Sequence, residues 1–484
     1  MKIKFYLTMF ITYLVLFFIL SGGCIKKRNP ISPSSPTQTP TPVYSETVSM
    51  SRTGGVPISS FAFGNNYFNW VDWNNNGMVA LIGSEEPAKA LSLNFLNGAN
   101  NQSDANAPQL FNFEQMDKFI EYSRTIGAEP LMIVPVYGNY INGGPTSAQM
   151  AADIVTYING TKGYGVKYWT IGFEVDIYDQ FFGTTNLPVK TAAEYAALYK
   201  SYAQAMIAAN AATGSGIEIK FVAPELGWRY LSGNDWLTPI LDECKDYIDI
   251  VSIHAYGFAA HELTEEKVLN SANGFRWLID DVRNRMIGHA RPGTPLAVTQ
   301  ANVCYDWDPK KYTTETRRVG PGTFYAAIWD ADRIGVALEK GLWNHSFWDL
   351  AETIQSIEGN YGVFGCIWTN PSNYTYTLNP EYYAQQMVNT NFSGNAIIPT
   401  GVPSKMSVYA SYDSGKARTA ILVINKDSVE RTITFTIDNL KPRTVTFYPM
   451  SINIVKIPDN NSADYSVLEY TKQMADAKLP PTER

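Results

Sequence analysis

The chain has 484 residues, a formal net charge of −7 and a pI near 5.3. This acidic balance lacks the basic surface that nucleic-acid binding requires, so we expect no nucleic-acid partner. The length allows one large domain and a small one. The four cysteines show no metal-ligand spacing, and a core of this size needs no disulfide framework.

The amino terminus, residues 1–24, has the pattern of a targeting segment. It begins with two lysines, continues with an apolar run and ends in Ser-Gly-Gly before Cys24. This order is typical of a secretory signal. A cysteine directly after small residues resembles a bacterial lipoprotein processing site, so Cys24 is a candidate for lipidation. An ordinary signal peptide and an uncleaved anchor are the alternatives. All three place the rest of the chain outside the cytoplasm, on a membrane or secreted.

Residues 25–43 contain the Pro/Ser/Thr-rich stretch ISPSSPTQTPTP. Such a composition cannot bury a core and favours an extended chain. We therefore predict a linker that holds the folded part away from a membrane. Residues 44–55 are expected to supply one strand to the carboxyl-terminal domain.

Residues 56–360 alternate short apolar runs with helical stretches, which is the pattern of βαβ units in a parallel sheet. The eight predicted strands, called barrel strands one to eight below, are 58–63, 90–95, 130–136, 166–172, 217–224, 249–256, 295–302 and 346–350. Eight such units favour a (β/α)8 barrel, a TIM barrel of the α/β class. A doubly wound open sheet is the alternative, but no Gly-rich phosphate loop follows strand one.

Residues 361–460 show a different period. The runs 405–412, 417–426, 431–438 and 443–449 alternate apolar and polar residues with period two and leave no room for helices. This pattern predicts a carboxyl-terminal antiparallel β-sandwich. Residues 461–484 are read as a polar tail that frays or forms one short helix.

In a (β/α)8 barrel the active site lies at the carboxyl ends of the strands. The side chains there, in strand order, are Phe173 and Glu174, Glu225, His254 and Tyr256, Gln300 and Asn302, and Trp348 and Asp349. Asn97, Asn100 and Asn101 follow strand two and are either sugar-binding groups or an ordinary loop. Glycoside hydrolysis usually needs two carboxyl groups across a sugar, and Glu174 is the best candidate for one of them.

Three stretches resemble segments of glycoside hydrolase clan A. YINGTKGYGVKYWTIGFEVD (157–176) is similar to the region of the acid/base at the tip of strand four, and PLAVTQANVCYD (295–306) to the strand-seven segment of the nucleophile. DIVSIHAYG (249–257) resembles the strand-six segment that touches nucleophile and sugar. The families closest in pattern are the family 44 endoglucanases and xyloglucanases and the family 51 arabinofuranosidases. The resemblance implies a barrel plus sandwich, an oligo- or polysaccharide partner, and Glu174 as general acid/base.

Two positions depart from the pattern that this resemblance implies. Phe173 stands where an Asn usually precedes the acid/base, and Gln300 stands where the nucleophilic Glu is expected. A carboxamide has nearly the shape of a carboxylate but no charge. It cannot readily attack an anomeric carbon or stabilise an oxocarbenium-like transition state. The standard retaining mechanism is therefore doubtful.

Three functions remain open from the sequence. The first is an active hydrolase in which Glu174 works with Glu225, Asp306 or Asp349. The second is a non-catalytic glycan-binding lipoprotein, a pseudoenzyme with Phe173, Glu225, His254, Tyr256, Asn302 and Trp348 lining its cleft. The third is a structural envelope protein. No cofactor or metal is predicted, since two acids in the turn CYDWDP are weak evidence for calcium.

Overall fold

A computed structural model describes residues 46–67, 81–98, 113–137, 139–140, 144–182, 187, 189–231, 234–306, 308–353, 364–370, 372–460 and 464–484. The predicted signal segment with Cys24, the linker, Asn100 and Asn101 lie outside the described residues. Tyr44–Arg484 form one compact unit. Within the described ranges, no helix combines the length and apolarity needed to cross a membrane.

The strands, in chain order, are β1 (Glu46–Met50), β2 (Val56–Pro57), β3 (Phe63–Tyr67), β4 (Phe95–Gly98), β5 (Glu129–Val134), β6 (Asn139–Tyr140), β7 (Gly144–Pro145), β8 (Tyr168–Ile171), β9 (Lys220–Leu226), β10 (Ile250–His254), β11 (Leu296–Gln300), β12 (Asn344–Phe347), β13 (Ala351–Thr353), β14 (Ile367–Asn370), β15 (Thr375–Leu378), β16 (Asn395–Ile397), β17 (Met406–Asp413), β18 (Arg418–Asn425), β19 (Arg431–Ile437), β20 (Arg443–Phe447), β21 (Ser451–Pro458), β22 (Ser466–Thr471) and β23 (Thr482–Glu483).

The α-helices of the described residues are α1 (Glu85–Ala90), α2 (Phe113–Thr125), α3 (Ala148–Val155), α4 (Tyr178–Phe182), α5 (Ala192–Thr213), α6 (Leu237–Cys244), α7 (Glu265–Leu269), α8 (Ala272–Met286), α9 (Thr314–Val319), α10 (Phe324–Glu339), α11 (Pro380–Asn389) and α12 (Lys472–Asp476). The longest, α5, begins at a capping box. The Thr191 hydroxyl accepts from the Glu194 N–H, and the Glu194 carboxylate accepts from the Thr191 N–H.

Eight parallel strands close into a barrel, which confirms the predicted fold class. Barrel strands one to eight are β3, β4, β5, β8, β9, β10, β11 and β12. Strands one and two begin at Phe63 and Phe95, five residues after the predicted starts. The apolar residues that suggested earlier starts belong to turns packed on the core, and they include Ala62, Leu91 and Leu93. As a result, Asn97 lies inside a barrel strand and not in a loop.

The amino-terminal end of the barrel is closed by aromatic side chains. Phe95 and Tyr168 open strands two and four, and their rings lie 5.6 Å apart. Trp343 and Phe61 complete the cluster, each within 5.2 Å of the Tyr168 ring. Edge-to-face packing of this kind adds to the stabilisation from apolar burial. Since this end is a packed apolar plug, the polar strand ends at the opposite mouth are the place for a site.

The carboxyl-terminal region forms two sheets around a second apolar core, confirming the predicted β-sandwich. One sheet has the order β2-β16-β17-β18-β21-β22-β23, and the other has the order β1-β19-β20. β1 pairs in parallel with β19. Side chains between the sheets include Val48, Val423, Phe435, Phe447 and Val455. The small sheet β13-β14-β15 and helix α11 lie in the chain between barrel strand eight and β16, and they were not predicted.

The carboxyl-terminal segment was predicted to fray or to form one short helix; the described residues 464–484 form the short helix α12 and also two strands that were not predicted. Strand β22 pairs with β21 along its whole length, and β23 pairs with β22. Val467 and Tyr470 are buried at 0% and 1% exposure, and they anchor β22 against the barrel and sandwich cores. The polar residues Ser466, Glu469 and Thr471 interrupt the apolar pattern of this strand and hid it in the sequence.

Candidate functional site

Two glutamates at the carboxyl ends of adjacent barrel strands have left-handed backbone conformations. Glu174 follows strand four with φ 49°, and Glu225 lies near the end of strand five with φ 54°. The N–H of Glu174 donates to the carbonyl of Glu225 at 2.9 Å. Residues other than glycine adopt this conformation at a cost that surrounding contacts must offset, and such residues cluster at functional sites.

Glu225 is the extra residue of a β-bulge between strands five and six. The register passes from Ser252 opposite Pro224 to Ile253 opposite Leu226, which leaves Glu225 without a partner position. Bulges redirect a side chain, and they recur beside active sites. Here the bulge turns the Glu225 carboxylate into the barrel, where its side chain is fully buried.

A second bulge lies between strands six and seven, where Thr299 is the extra residue. Its carbonyl oxygen accepts a 2.9 Å hydrogen bond from the Asn66 amide and a 3.4 Å bond from the Asn97 amide. Asn66 also donates to the Phe347 carbonyl at 2.9 Å. These fully buried asparagines from strands one and two therefore fix the strand that carries Gln300. Asn66 was not a predicted site residue, because the predicted strand one ended before it.

The imidazole of His254 joins the two glutamates. Its Nδ1 lies 2.8 Å from Glu174 Oε1, and its Nε2 lies 2.9 Å from Glu225 Oε2. His254 and Glu225 have no exposed side-chain surface, whereas Glu174 keeps 15%. These three side chains form a row, Glu174–His254–Glu225. Only its Glu174 end therefore reaches the mouth of the barrel.

The charges of the two carboxylates set the protonation of His254. Burial lowers the pKa of the imidazole, but the hydrogen bonds and charges of Glu174 and Glu225 outweigh it and raise the pKa to about 9. Both ring nitrogens of an imidazolium are donors, so one cation satisfies both carboxylates at neutral pH. The row then carries one net negative charge, with its exposed end on Glu174.

Phe173 supports this row from the side. Its ring centroid lies 4.7 Å from that of His254, and its exposure is only 5%. The ring packs on the histidine with little exposed surface, and its contact with a substrate stays a prediction. From the other side, the Tyr230 hydroxyl donates to the His254 carbonyl.

Gln300 ends strand seven opposite His254, at the position predicted for a nucleophile. Its exposure is 2%, and its amide nitrogen Nε2 is buried with no hydrogen-bond partner among the described residues. A buried donor without a partner is costly unless a ligand or water completes it. Gln300 therefore presents an amide donor, not a carboxylate, beside the histidine.

Strands seven and eight are tied together by Asn302 and Trp348. The Asn302 amide donates to the Trp348 carbonyl, and the exposures of the two side chains are 1% and 4%. Such burial is that of residues that hold the strand ends in place. Asn302 and Trp348, like Glu225, are thus almost or fully enclosed by protein, and their contact with a sugar stays a prediction.

The other carboxylates that the sequence offered as partners of Glu174 are shielded. Asp349 and Glu225 have 0% exposure. Asp306 has 6%, accepts from the Ala260 N–H at 2.8 Å and pairs with Lys311. Among these predicted carboxylates, Glu174 alone faces solvent.

Three half-buried or exposed aromatic side chains lie near the strand ends. Tyr256 is half-buried, and burial together with the charges of Glu174 and Asp349 raises the pKa of its hydroxyl, so the ring lies within electrostatic reach of both. Trp228 and Tyr305 are 42% and 52% exposed. They come three residues after Glu225 and Asn302, and the sequence analysis missed them. An aromatic residue within three positions of a barrel strand end was the available signal.

The loops after strands four and five are joined by a buried carboxylate that the sequence analysis also missed. Asp176 accepts from the backbone N–H groups of Gly227, Trp228 and Arg229 at 2.9, 3.1 and 2.8 Å. Burial raises the pKa of Asp176, and these three donors oppose the shift. A cavity of about 180 Å³ adjoins these loops, with Trp236 in its wall. Asp176 thus fixes the loop that carries Trp228 beside Glu174.

The barrel, the sandwich and a glutamate at the tip of strand four define a protein with the fold of clan A glycoside hydrolases. The chain is similar to a family 51 α-L-arabinofuranosidase from Bifidobacterium longum, with TM-score 0.64, 14% identity, and coverage of 86% of this chain and 100% of that one. An α-L-arabinofuranosidase from Thermotoga maritima, solved as an arabinose complex, gives TM-score 0.64, 16% identity, and coverage of 91% and 97%. A family 44 xyloglucanase from Paenibacillus polymyxa, solved with xyloglucan, gives TM-score 0.59, 12% identity, and coverage of 84% and 98%.

No protein-family model matches the chain, and no curated protein matches it in sequence. The fold is therefore shared with these hydrolases of families 51 and 44, at identities that show the fold alone.

Proposed function

We propose that this protein binds an oligo- or polysaccharide, of plant type or otherwise, in a glycoside-hydrolase-type cleft without the standard retaining hydrolysis. The observation that carries the proposal is the neutral, buried Gln300 at the predicted nucleophile position. Glu174 serves as the charged acceptor at the cleft, the place of the general acid/base in the resembling families.

Hydrolysis needs a second carboxyl group that reaches the sugar. Retaining enzymes place the two carboxyl groups roughly 5–5.5 Å apart, and inverting enzymes roughly 6.5–9.5 Å apart. Glu225 and Asp349 have no exposed surface from which to reach a sugar or an attacking water. Glu174 accepts a hydrogen bond from the His254 imidazolium. This arrangement suits acceptance of sugar hydroxyl protons better than proton donation to a leaving oxygen.

An active hydrolase is the second candidate, and the charges acting on Tyr256 favour it. The charges of Glu174 and Asp349 both raise the pKa of its hydroxyl, so a second carboxylate lies near the same mouth of the barrel as Glu174. A rearrangement that exposes Asp349 would give the pair that inversion requires.

A paired assay separates the two candidates. Residues 44–484 and their Gln300→Glu variant are purified and tested on β-glucans, xyloglucan, xylans and arabinosides, for both binding and product. Binding without product by the natural protein, with turnover only in Gln300→Glu, supports the proposal. Turnover by the natural protein overturns it and makes Asp349 the next residue to replace.

The proposed location is extracytoplasmic, on a membrane through a lipid on Cys24. The pattern of residues 1–24 and the Pro/Ser/Thr-rich linker support it. The full chain, expressed in a bacterium with an alkyne-labelled fatty acid, should carry the label and fractionate with membranes. Cys24→Ala should lose the label. A labelled Cys24→Ala protein, or an unlabelled natural one, contradicts lipidation at this position.

A further inference from the structure

The buried end of the Glu174–His254–Glu225 row has no contact with the cleft. Glu225 has 0% exposure, its Oε2 lies 2.9 Å from His254 Nε2, and its Oε1 has no hydrogen-bond partner among the described residues. An ionised carboxylate in such a place requires a nearby cation. The imidazole is the group in contact with it that can supply one.

A neutral imidazole cannot serve both carboxylates. It has one N–H donor and one acceptor nitrogen. With the proton on Nε2, the lone pair of Nδ1 would face the acceptor Glu174 Oε1, only 2.8 Å away, and the two would repel each other. Doubly protonated His254 donates to both glutamates and removes this conflict. Phe173 beside the ring, Gln300 opposite His254 on strand seven and Tyr230 at the His254 carbonyl add no charge.

We infer that Glu225 is a positioning residue, which through His254 holds Glu174 as a fixed, deprotonated acceptor for sugar hydroxyl groups. That the ligand is a sugar rests on the proposed function. The arrangement of the three side chains is independent of it. The bulge that turns Glu225 inward and the positive φ of both glutamates are the backbone features that build the row.

The row also explains the place of Phe173. An aromatic ring whose centroid lies 4.7 Å from that of the imidazole excludes water there and favours a cation over a neutral ring. The asparagine of the resembling families would provide neither. A phenylalanine at position 173, in place of the asparagine of those families, therefore fits a site built around a permanent imidazolium.

The test is nitrogen–proton NMR of the histidine side chains in the compact unit Tyr44–Arg484, which contains both cores. The chain has four histidines, and the signal of His254 is identified by its absence in His254→Gln. In the natural protein His254 should be doubly protonated at pH 7.5. In Glu225→Gln its titration midpoint should fall by at least one pH unit. Glu381→Gln, the same change at another buried glutamate, should leave the midpoint in place.

Binding supplies the second readout. The natural protein should bind a glycan of the panel with a Kd that does not change between pH 6 and 8. In Glu225→Gln the Kd should rise at least tenfold over the interval in which His254 loses its proton. A His254 that is neutral at pH 7 in the natural protein, or that titrates identically in Glu225→Gln, overturns the inference.

The two proposals fail separately. If no glycan binds to any variant, the proposed function is wrong while the NMR result still decides the role of Glu225. If glycans bind and the pH profile of Glu225→Gln follows that of the natural protein, the positioning role is wrong while the proposed function stands. Should Glu225→Gln fail to fold, as circular dichroism would show, a neutral His254 at pH 7 in the natural protein still overturns the inference.

Discussion

The backbone N–H of Glu174 donates to the carbonyl oxygen of Glu225, so the tips of barrel strands four and five are joined directly beneath the cleft. Their side chains meet again at His254. The exposed and the buried glutamate therefore form one unit in both backbone and side chain. A substitution at either glutamate is expected to change the hydrogen bonding of the other.

Replacing Glu174 with Gln should lower glycan affinity about 10–100-fold, since a hydrogen bond to a charged group contributes about 1.5–3 kcal/mol. The change keeps the size of the side chain and removes the charge that faces the cleft. Titration calorimetry with the best ligand of the panel measures it. Glu86→Gln, the same change on the exposed face of α1, is the control. Equal affinities for the two variants would show that Glu174 is not the ligand-facing acceptor.

Much of this site follows from the sequence. The period of the apolar runs predicted the barrel, and the tips of its strands gave Glu174, Glu225, His254 and Gln300. The sequence did not give the direction of these side chains. Strict alternation fails at the strand ends because Glu225 and Thr299 are bulge residues, and bulges carry no clear pattern in a single sequence. The burial of most of these side chains could therefore not be predicted from the sequence.

Restoring the asparagine of the resembling families at position 173 should destabilise the protein. Phe173→Asn removes a ring that is 5% exposed beside His254 and leaves a polar group in its cavity. We expect a loss of about 3–5 kcal/mol in the free energy of unfolding, as for other large-to-small changes at buried aromatic residues. Urea unfolding of residues 44–484 measures it.

The same change can be tested in the Gln300→Glu background. Phe173→Asn combined with Gln300→Glu should be less stable than Gln300→Glu alone by a similar amount. A double variant as stable as the single one would show that the Phe173 ring does not support His254.

Helix α10 meets the sandwich at a glycine that leaves room for a tyrosine. A Cβ on Gly335 would overlap the ring of Tyr409 on β17, whose hydroxyl donates to Asp332 at 3.0 Å. Gly335→Ala should therefore cost about 1–3 kcal/mol through overpacking. Gly274→Ala in α8 is the matched control, because a Cβ there meets nothing within 4 Å. This control should stabilise by about 0.5–1 kcal/mol, since alanine loses less backbone entropy in a helix. The two substitutions should change the free energy of unfolding in opposite directions. Equal changes would contradict the close packing at Tyr409.

Glu381 on α11 should make stability fall as the pH rises. Its side chain is 2% exposed, and it accepts a 2.6 Å hydrogen bond from the Gly322 N–H. Burial nevertheless raises the pKa of the carboxyl from 4.5 to about 8. The folded protein therefore keeps this proton where the unfolded chain has lost it. The stabilisation is full below pH 4.5 and is lost as the pH rises towards 8.

Glu381→Gln mimics the protonated form at every pH, so it removes this loss. Relative to the natural protein, the variant should gain stability between pH 5 and 8, at up to about 1.4 kcal/mol for each pH unit. Unfolding in urea at closely spaced pH values measures the difference between the two proteins, and the subtraction cancels titrating groups common to both, such as His254. A difference that stays constant over this interval would mean that Glu381 is already ionised in the folded protein, and that the Gly322 N–H outweighs its burial.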